Sequence, residues 1–227
     1  MPISAQSIVR RATDLLQDQT SVRWPARELV RYLNDAQRVI IKVRPDAMNT
    51  TVTMTLAAGS RQDLDSAPLV PLPSKLIAIT RNMAATSAKR AVTKLESRRV
   101  LDAQTPGWHA IPGTVDILHY LFDPRDPKTF YVYPPALVAA QLEVMYSAYP
   151  TDIAEPADGA LYTAVTGNIS LPDIFADEIL DLMLARCYSK DSENGDASRA
   201  QAYKASAVAS LGAEIQATLA VSPKAGT

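Results

Sequence analysis

The segment between Pro25 and Pro45 constrains the fold more than any other part of the sequence. A proline is tolerated in the first turn of a helix, because the N–H that it lacks would have no partner there. Pro45 ends the same helix, because it moves Arg44 out of the helical conformation. Between the prolines, apolar residues recur with helical spacing and predict one buried stripe: Leu29, Tyr32, Leu33, Ala36, Val39, Ile40 and Val43.

The opposite face of this helix carries cations and no catalytic group. We call it the basic face, and its residues are Arg27, Arg31, Arg38 and Lys42. A solvated helix surface accounts for such a face, and the alternative is contact with anionic groups, either phosphates or another subunit. A helix that packs on one side and presents charge on the other indicates part of an assembly more than an enzyme.

The composition excludes several classes of protein. Apolar residues make up 47% and charged residues 21% of the 227 residues, which predicts a globular chain. The formal charge of −1 disfavours nucleic-acid binding through bulk electrostatics. One cysteine, Cys187, excludes an internal disulfide framework and favours a reducing compartment. No apolar run approaches the ~20 residues of a membrane span, and no secretory signal is evident, so we expect synthesis in the cytoplasm.

Helical periodicity at both ends of the sequence encloses a middle part with the two-residue period of strands. We predict helices over 4–17 and 24–46, from Pro172 to about Tyr188, and over 197–219. A loop is predicted over 59–73, and a short strand with a helical turn over 91–101. The predicted strands lie near 50–56, 76–80, 115–122, 129–133 and 141–149.

This order of elements predicts an α+β fold. The N- and C-terminal helices form a helical bundle, and a central antiparallel β insertion projects from it. The predicted organisation is an N-terminal helical pair over 1–48, a β-rich lobe over 49–168 and a C-terminal helical pair over 169–219. The last pair packs with 1–48, and residues 220–227 form a flexible tail.

The sequence contains no convincing catalytic or metal-binding constellation. His109 and His119 lack metal-ligand spacing, and Cys187 falls on a buried helix where cysteine behaves as a small apolar residue. Asp123 and Asp126 are explained as turn formers in a proline-rich turn. The common nucleotide-binding and hydrolase motifs are absent from the sequence. We therefore expect no enzyme, no cofactor and no metal.

A line of aspartates on the third predicted helix complements the basic face. Asp173, Asp177 and Asp181 recur at i, i+4 and i+8, and we call them the acidic line. The helix dipole explains Asp173 and Asp177, whereas Asp181 lies too far into the helix for that. The hypothesis is that the acidic line pairs with the basic face, within one subunit or between subunits.

The hairpin over 115–133 carries apolar or aromatic residues on both faces, with Tyr131 and Tyr133 on one of them. A sheet that is apolar on both sides needs cover on both sides. Two interpretations stay open: a sandwich-like core inside one chain, or an interface between subunits.

Several short motifs occur in order over residues 3–215. They are Trp24-Pro25, Leu33-Asn34-Asp35-Ala36, Arg44-Pro45-Asp46-Ala47, Pro106-Gly107-Trp108, Phe122-Asp123-Pro124, Thr129 through Pro135, and Leu171-Pro172 through Asp191. In this order and spacing they resemble the head-to-tail adaptor, or connector, proteins of short-tailed phages.

The resemblance implies a virion structural protein of the neck, at the head-tail junction, that is made in the host cytoplasm. It implies a homo-oligomeric ring, of twelve subunits, between the portal protein and the tail or nozzle protein. Such a ring extends the channel for packaged DNA and takes part in its ejection. The near-neutral charge suits passage of DNA without sequence-specific binding, and the tail 220–227 is expected to become ordered on the portal.

Three further interpretations compete with this one. The chain could be another ring protein of the phage neck or tail, or a nucleic-acid-binding module that uses the basic face. A small hydrolase would need a site assembled from distant carboxylates, and the sequence gives it the least support.

Overall fold

The computed structural model describes residues 3–190 and 196–221, with side chains described as far as residue 213. Within these residues the chain is a mixed α+β structure with five α-helices and two β-sheets. The helices are α1 (Ala5–Leu16), α2 (Ala26–Val43), α3 (Arg98–Gln104), α4 (Ala176–Ser189) and α5 (Ala197–Val221). The strands are β1 (Asn49–Thr55), β2 (Gly59–Asp63), β3 (Pro73–Asn82), β4 (Thr93–Leu95), β5 (His119–Phe122), β6 (Thr129–Ala136) and β7 (Gln141–Ala148).

The chain divides into two compact units, at 48/49 and at 149/150. The helical unit contains α1, α2, α4 and α5, and the β-rich lobe, residues 49–149, contains the seven strands and α3. The sequence placed 150–168 in the lobe, whereas in the structure this connection belongs to the helical unit. The tail predicted over 220–227 lies almost entirely outside the described residues.

Local sequence explains where the first two helices begin and end. Ser4 caps α1, because its hydroxyl accepts a hydrogen bond from the Ser7 N–H. Gln17 ends α1 in the left-handed conformation with φ of 54°. Helix α2 begins directly after Pro25 and ends before the Arg44-Pro45 pair, as the two prolines predict.

The buried arc of α2 differs in rotation from the predicted stripe. Val39 and Val43, which the helical spacing assigns to that stripe, are 36% and 49% exposed. Val30 and Ile41 are buried instead, because the packed surface is turned around the helix axis toward them. Because successive residues lie about 100° apart around a helix, a small rotation of α2 about its axis is enough to move Val39 and Val43 to the edge of the buried surface.

One hydrophobic core holds the helical unit together. It draws on α1, α2 and α4, on Leu211 of α5, and on the connection before α4. Its fully enclosed members include Ile8, Val9, Leu29, Leu33, Ile40, Ile179, Met183 and Leu184.

The β-rich lobe contains a three-stranded sheet of order β1-β7-β3 and a four-stranded sheet of order β2-β6-β5-β4. Pairing between the strands is antiparallel except between β4 and β5, so the predicted antiparallel insertion contains one parallel pair. The predicted hairpin is present as β5 and β6, but its first strand begins at His119 and not at residue 115. Strand β2 lies in part of the predicted loop over 59–73. The sequence does not indicate this strand, because its inward-facing residues, Ser60 and Gln62, are polar and the two-residue apolar period is therefore missing.

Asn82 links the two sheets of the lobe. Its side chain is fully buried, accepts a hydrogen bond from the Ile117 N–H at 2.8 Å and donates one to the Ile117 carbonyl at 2.8 Å. It also donates to the Arg90 carbonyl at 3.1 Å. The end of β3 is thereby joined to the chain that enters β5.

Candidate interaction surfaces

A segment of the connection that is neither helix nor strand lies against α2. We call residues 152–158 the strap. Near the start of the strap, the side-chain amide of Asn34 binds both backbone groups of Ile153, as the backbone of a neighbouring strand would. The Asn34 Nδ2 donates to the Ile153 carbonyl at 3.0 Å, and the Ile153 N–H donates to Asn34 Oδ1 at 2.9 Å.

Three ion pairs continue this attachment along the helix. Arg38 pairs with Asp152, and Arg31 binds Glu155 through two N–H···O contacts of 2.7 Å each. The third pair is a 3.3 Å contact between Arg27 Nη1 and Asp158 Oδ2. The strap therefore runs antiparallel to α2.

The lengths of the two elements explain why three pairs form together. From residue 27 to residue 38 a helix rises about 16 Å. The six residue steps from 152 to 158 cover about 19 Å when extended. The end-to-end lengths are therefore similar, and the long arginine side chains accommodate the unequal spacing of Arg38, Arg31 and Arg27 along the helix. The Arg31 hydrogen bonds lower the pKa of Glu155 and so favour its charged form.

The basic face is therefore engaged by the strap and not by the acidic line. Pairing of those two sets of residues inside one chain, which the sequence suggested, is wrong for Arg27, Arg31 and Arg38. Lys42 is exposed and forms no ion pair with a described residue. Pairing between subunits is not tested by a single chain.

Helices α2 and α4 are joined by ion pairs of the opposite polarity. The acids lie on α2 and the cations on or next to α4: Arg186 Nη1 lies 3.1 Å from Asp35 Oδ2. Lys190 Nζ lies 2.8 Å from Glu28 Oε2. Burial raises the pKa of Glu28, but hydrogen bonds from Lys190 and from the Tyr32 hydroxyl outweigh it and leave the pKa lowered. The carboxylate thus stays charged between the two helices.

The acidic line lies elsewhere on the helical unit. Asp177 is exposed and pairs with Arg11 of α1, with 2.6 Å between Arg11 Nη2 and Asp177 Oδ1. Burial raises the pKa of Asp181, while a hydrogen bond from Ser206 of α5 opposes that shift. Asp173 is exposed in the single 3-10 turn that precedes α4. Asp177 and Asp181 thus face different neighbours, and neither is paired with Arg27, Arg31 or Arg38 of the basic face.

Tyr131 and Tyr133 are half-buried against an aromatic anchor of their own lobe. Trp108 is fully buried, and its ring centroid lies 6.2 Å from each tyrosine ring in an edge-on arrangement. The Trp108 Nε1–H donates to Asp102 Oδ1 at 2.9 Å. Residues of the same chain therefore cover much of this face of the hairpin.

A model of the SU10 adaptor protein family matches residues 3–225. The chain belongs to the SU10 adaptor protein family. The match spans both the helical unit and the β-rich lobe, so the resemblance to phage adaptor proteins is confirmed at the level of the family. No curated protein matches the sequence significantly.

Adaptor families such as SU10 are structural and generally non-enzymatic. Burial raises the pKa of the Cys187 thiol to about 12, which keeps it protonated and unreactive near neutral pH. Among the described residues, three or more His, Cys, Asp or Glu side chains nowhere group closely enough to hold a metal ion. Within the same part of the chain, the helices are too short or too polar to cross a membrane.

Sequence reasoning missed the strap of this SU10 adaptor family member. A signal was available, because Asp152, Glu155 and Asp158 recur at every third position opposite a helix face rich in arginine. It was obscured because the connection has no helical or strand period, and its partner lies more than a hundred residues earlier in the chain.

Proposed function

We propose that this chain is a virion structural protein of the phage neck. In this proposal it forms a homo-oligomeric ring of twelve subunits between the portal protein and the tail or nozzle protein. The ring extends the channel through which packaged DNA leaves the capsid. The observation that carries the proposal is the match to the SU10 adaptor family over residues 3–225.

The charge distribution of the helical unit supports a channel component over a nucleic-acid-binding module. A phosphate approaching the basic face would have to displace the strap carboxylates from Arg27, Arg31 and Arg38. Each phosphate contact releases counterions and strengthens DNA binding. These arginines are neutralised within the chain, and the formal charge of the whole chain is −1. Both properties are compatible with DNA that moves through a channel without binding tightly to its wall.

Candidates for contacts between subunits follow from what remains accessible. Lys42 and Asp173 are exposed, and Asp177 is exposed beside Arg11. We also retain Asp181 and the half-buried Tyr131 and Tyr133 as candidates. A neighbour could cover the part of each tyrosine ring that Trp108 leaves open.

The test is native mass spectrometry and cryo-electron microscopy of the full-length protein, alone and mixed with the portal protein of the same phage. We expect a closed twelve-fold ring, either alone or on the portal, with a central channel wide enough for duplex DNA. A protein that stays monomeric under both conditions would contradict the proposal. A ring that binds tail components but not the portal would favour the alternative, another ring protein of the neck or tail.

A further inference from the structure

One margin of the β-rich lobe is strongly cationic. Five of the eleven residues from 89 to 99 are Lys or Arg, and Glu96 is the one acid among them. All five cations are exposed, and we call them the basic edge: Lys89, Arg90, Lys94, Arg98 and Arg99.

Most of these cations have no partner within the described part of the chain. Arg98 is engaged locally, because its Nε lies 3.4 Å from Asp102 Oδ2 and its guanidinium lies over the Tyr131 ring. The side chains of Lys89, Arg90, Lys94 and Arg99 form no ion pair with any described residue. This distinguishes the basic edge from the basic face, whose arginines are neutralised by the strap.

The backbone beneath the basic edge is fixed to both sheets. The Arg90 carbonyl accepts a hydrogen bond from the Asn82 N–H at 3.0 Å. The next bonds run from the Val92 N–H to the Thr80 carbonyl and from the Thr93 N–H to the Leu118 carbonyl, each at 3.0 Å. The cations are therefore presented by a rigid support, which reduces the entropy lost on binding.

The position of β4 allows two explanations for these charges. It is the outer strand of its sheet, and lysine on such a strand prevents edge-to-edge aggregation. A three-residue strand needs little protection, however, and the cations extend beyond it in both directions. Two exposed apolar side chains also belong to this margin, Val100 at 52% and Leu118 at 40%. An edge that only prevents aggregation would not carry them.

Cations mixed with exposed apolar residues fit an acidic protein surface better than DNA. Arginine and apolar side chains are both enriched at the centres of protein interfaces. The guanidinium group also matches a carboxylate with two parallel hydrogen bonds. Phosphate contacts depend on charge and gain nothing from Val100 or Leu118.

The two units of this chain carry opposite charge. Residues 49–149 contain ten Lys or Arg and eight Asp or Glu, whereas the remainder contains 13 and 16. We propose that the basic edge contacts the acidic helical unit of a second copy of this chain. This inference rests on the proposed function, because a contact between two different surfaces, repeated from copy to copy, forms a ring when the rotation between copies closes.

The test compares two double variants with equal change in charge. Lys94→Glu with Arg99→Glu reverses two unpaired cations of the basic edge. Arg61→Glu with Lys75→Glu makes the same change elsewhere in the lobe, with Arg61 on the opposite outer strand, β2. Analytical ultracentrifugation over a concentration series is expected to show at least tenfold weaker self-association for the first variant. The control should associate like the wild type.

A zero-length cross-link gives a second, independent measurement on the wild-type protein. Carbodiimide joins lysine to a carboxylate in direct contact, and peptide mass spectrometry identifies both residues. We expect Lys89 or Lys94 to be joined to Asp or Glu of the helical unit, within 1–48 or 150–227, in the oligomer fraction only. Cross-links that reach only acids of the lobe would overturn the proposal, even if the double variant failed to fold.

The remaining outcomes separate this inference from the proposed function. A wild-type protein that is monomeric both alone and with the portal would overturn both. A wild-type ring that survives the basic-edge variant would overturn the inference alone. If that variant kept the ring but lost affinity for a DNA duplex in low salt, the basic edge would be assigned to phosphate.

Discussion

Asn34 is the residue on which the strap most depends. It is 6% exposed, and its amide satisfies both backbone groups of Ile153. A buried backbone group without a partner costs about 1–3 kcal/mol. The Asn34 side chain therefore stabilises the fold through the backbone N–H and carbonyl that it satisfies, as well as through its own burial.

We expect Asn34→Ala to lower the free energy of unfolding by about 2–3 kcal/mol, because two buried backbone groups lose their partner. Urea denaturation followed by circular dichroism measures the change. Gln104→Ala, at the exposed end of α3, is the matched control and should change stability by less than about 0.5 kcal/mol. Equal effects of the two variants would show that the strap does not need Asn34.

The buried Cys187 thiol predicts a specific dependence on pH. Its pKa is raised to about 12, against about 8.5 for a free thiol, so folding favours the protonated form. The stabilisation is complete below about pH 8.5 and is lost as the pH rises toward 12. The stability of the wild type should therefore fall faster than that of Cys187→Ala between pH 9 and 11, measured by urea denaturation.

The same burial should block chemical modification. At pH 8 we expect Ellman's reagent to leave Cys187 unmodified in the folded protein and to label it fully in denaturing urea. Rapid labelling of the native protein would mean that α4 does not enclose the thiol.

Among the elements, α2 and the strap form the best-defined contact of the helical unit. The Arg31 and Glu155 side chains are 54% and 41% exposed, so their two short hydrogen bonds work in a largely aqueous setting. Exposed ion pairs usually contribute little to the stability of a fold. The two parallel hydrogen bonds between Arg31 and Glu155 make this pair stronger than most of them.

A double-mutant cycle of Arg31→Ala and Glu155→Ala should give a small but measurable favourable coupling, which falls in 1 M salt because added ions screen the exposed charges. The exposed turn pair Arg125 and Asp123 is the control and should show weaker coupling, because Arg125 is 91% exposed. A coupling of zero for Arg31 and Glu155 would mean that the strap is held by Asn34 and its apolar contacts alone.

Element by element, prediction from the sequence succeeded where a repeating pattern met a local terminator. Helices α1 and α2 and the β5–β6 hairpin have strong periods that end at Ser4, the two prolines or the Asp-Pro turn. Strand β2 was missed because Ser60 and Gln62 point inward and carry no apolar signal. Gln62 pairs with backbone groups of Ala57 and Gly59, which compensates its burial.

At the scale of the molecule, the lobe leaves and rejoins the helical unit through adjacent strands. Asn49 at the start of β1 lies opposite Ser147 near the end of β7. Paired residues of antiparallel strands lie about 5 Å apart. The hydrophobic core of the helical unit also draws all its members from 3–48 and 150–211.

Replacing residues 49–149 with a short Gly-Ser linker should therefore leave a folded helical protein. We expect a helical circular dichroism spectrum and one cooperative thermal transition, because no core residue is removed. The self-association of the product should be weaker than that of the full chain, since the basic edge is gone. A product without a cooperative transition would show that the helical unit needs the lobe in order to fold.

The sequence by itself determined the order of the elements, their main boundaries and the absence of a recognisable catalytic motif. These depend on local terminators and on periodicity, which a short window of residues contains. The tertiary structure alone decided which charges meet. Arg31 and Glu155 are 124 residues apart in the chain, and an ion pair depends on distance in space. A charged helix face therefore predicts that a partner exists without identifying it, and here the partner is the strap.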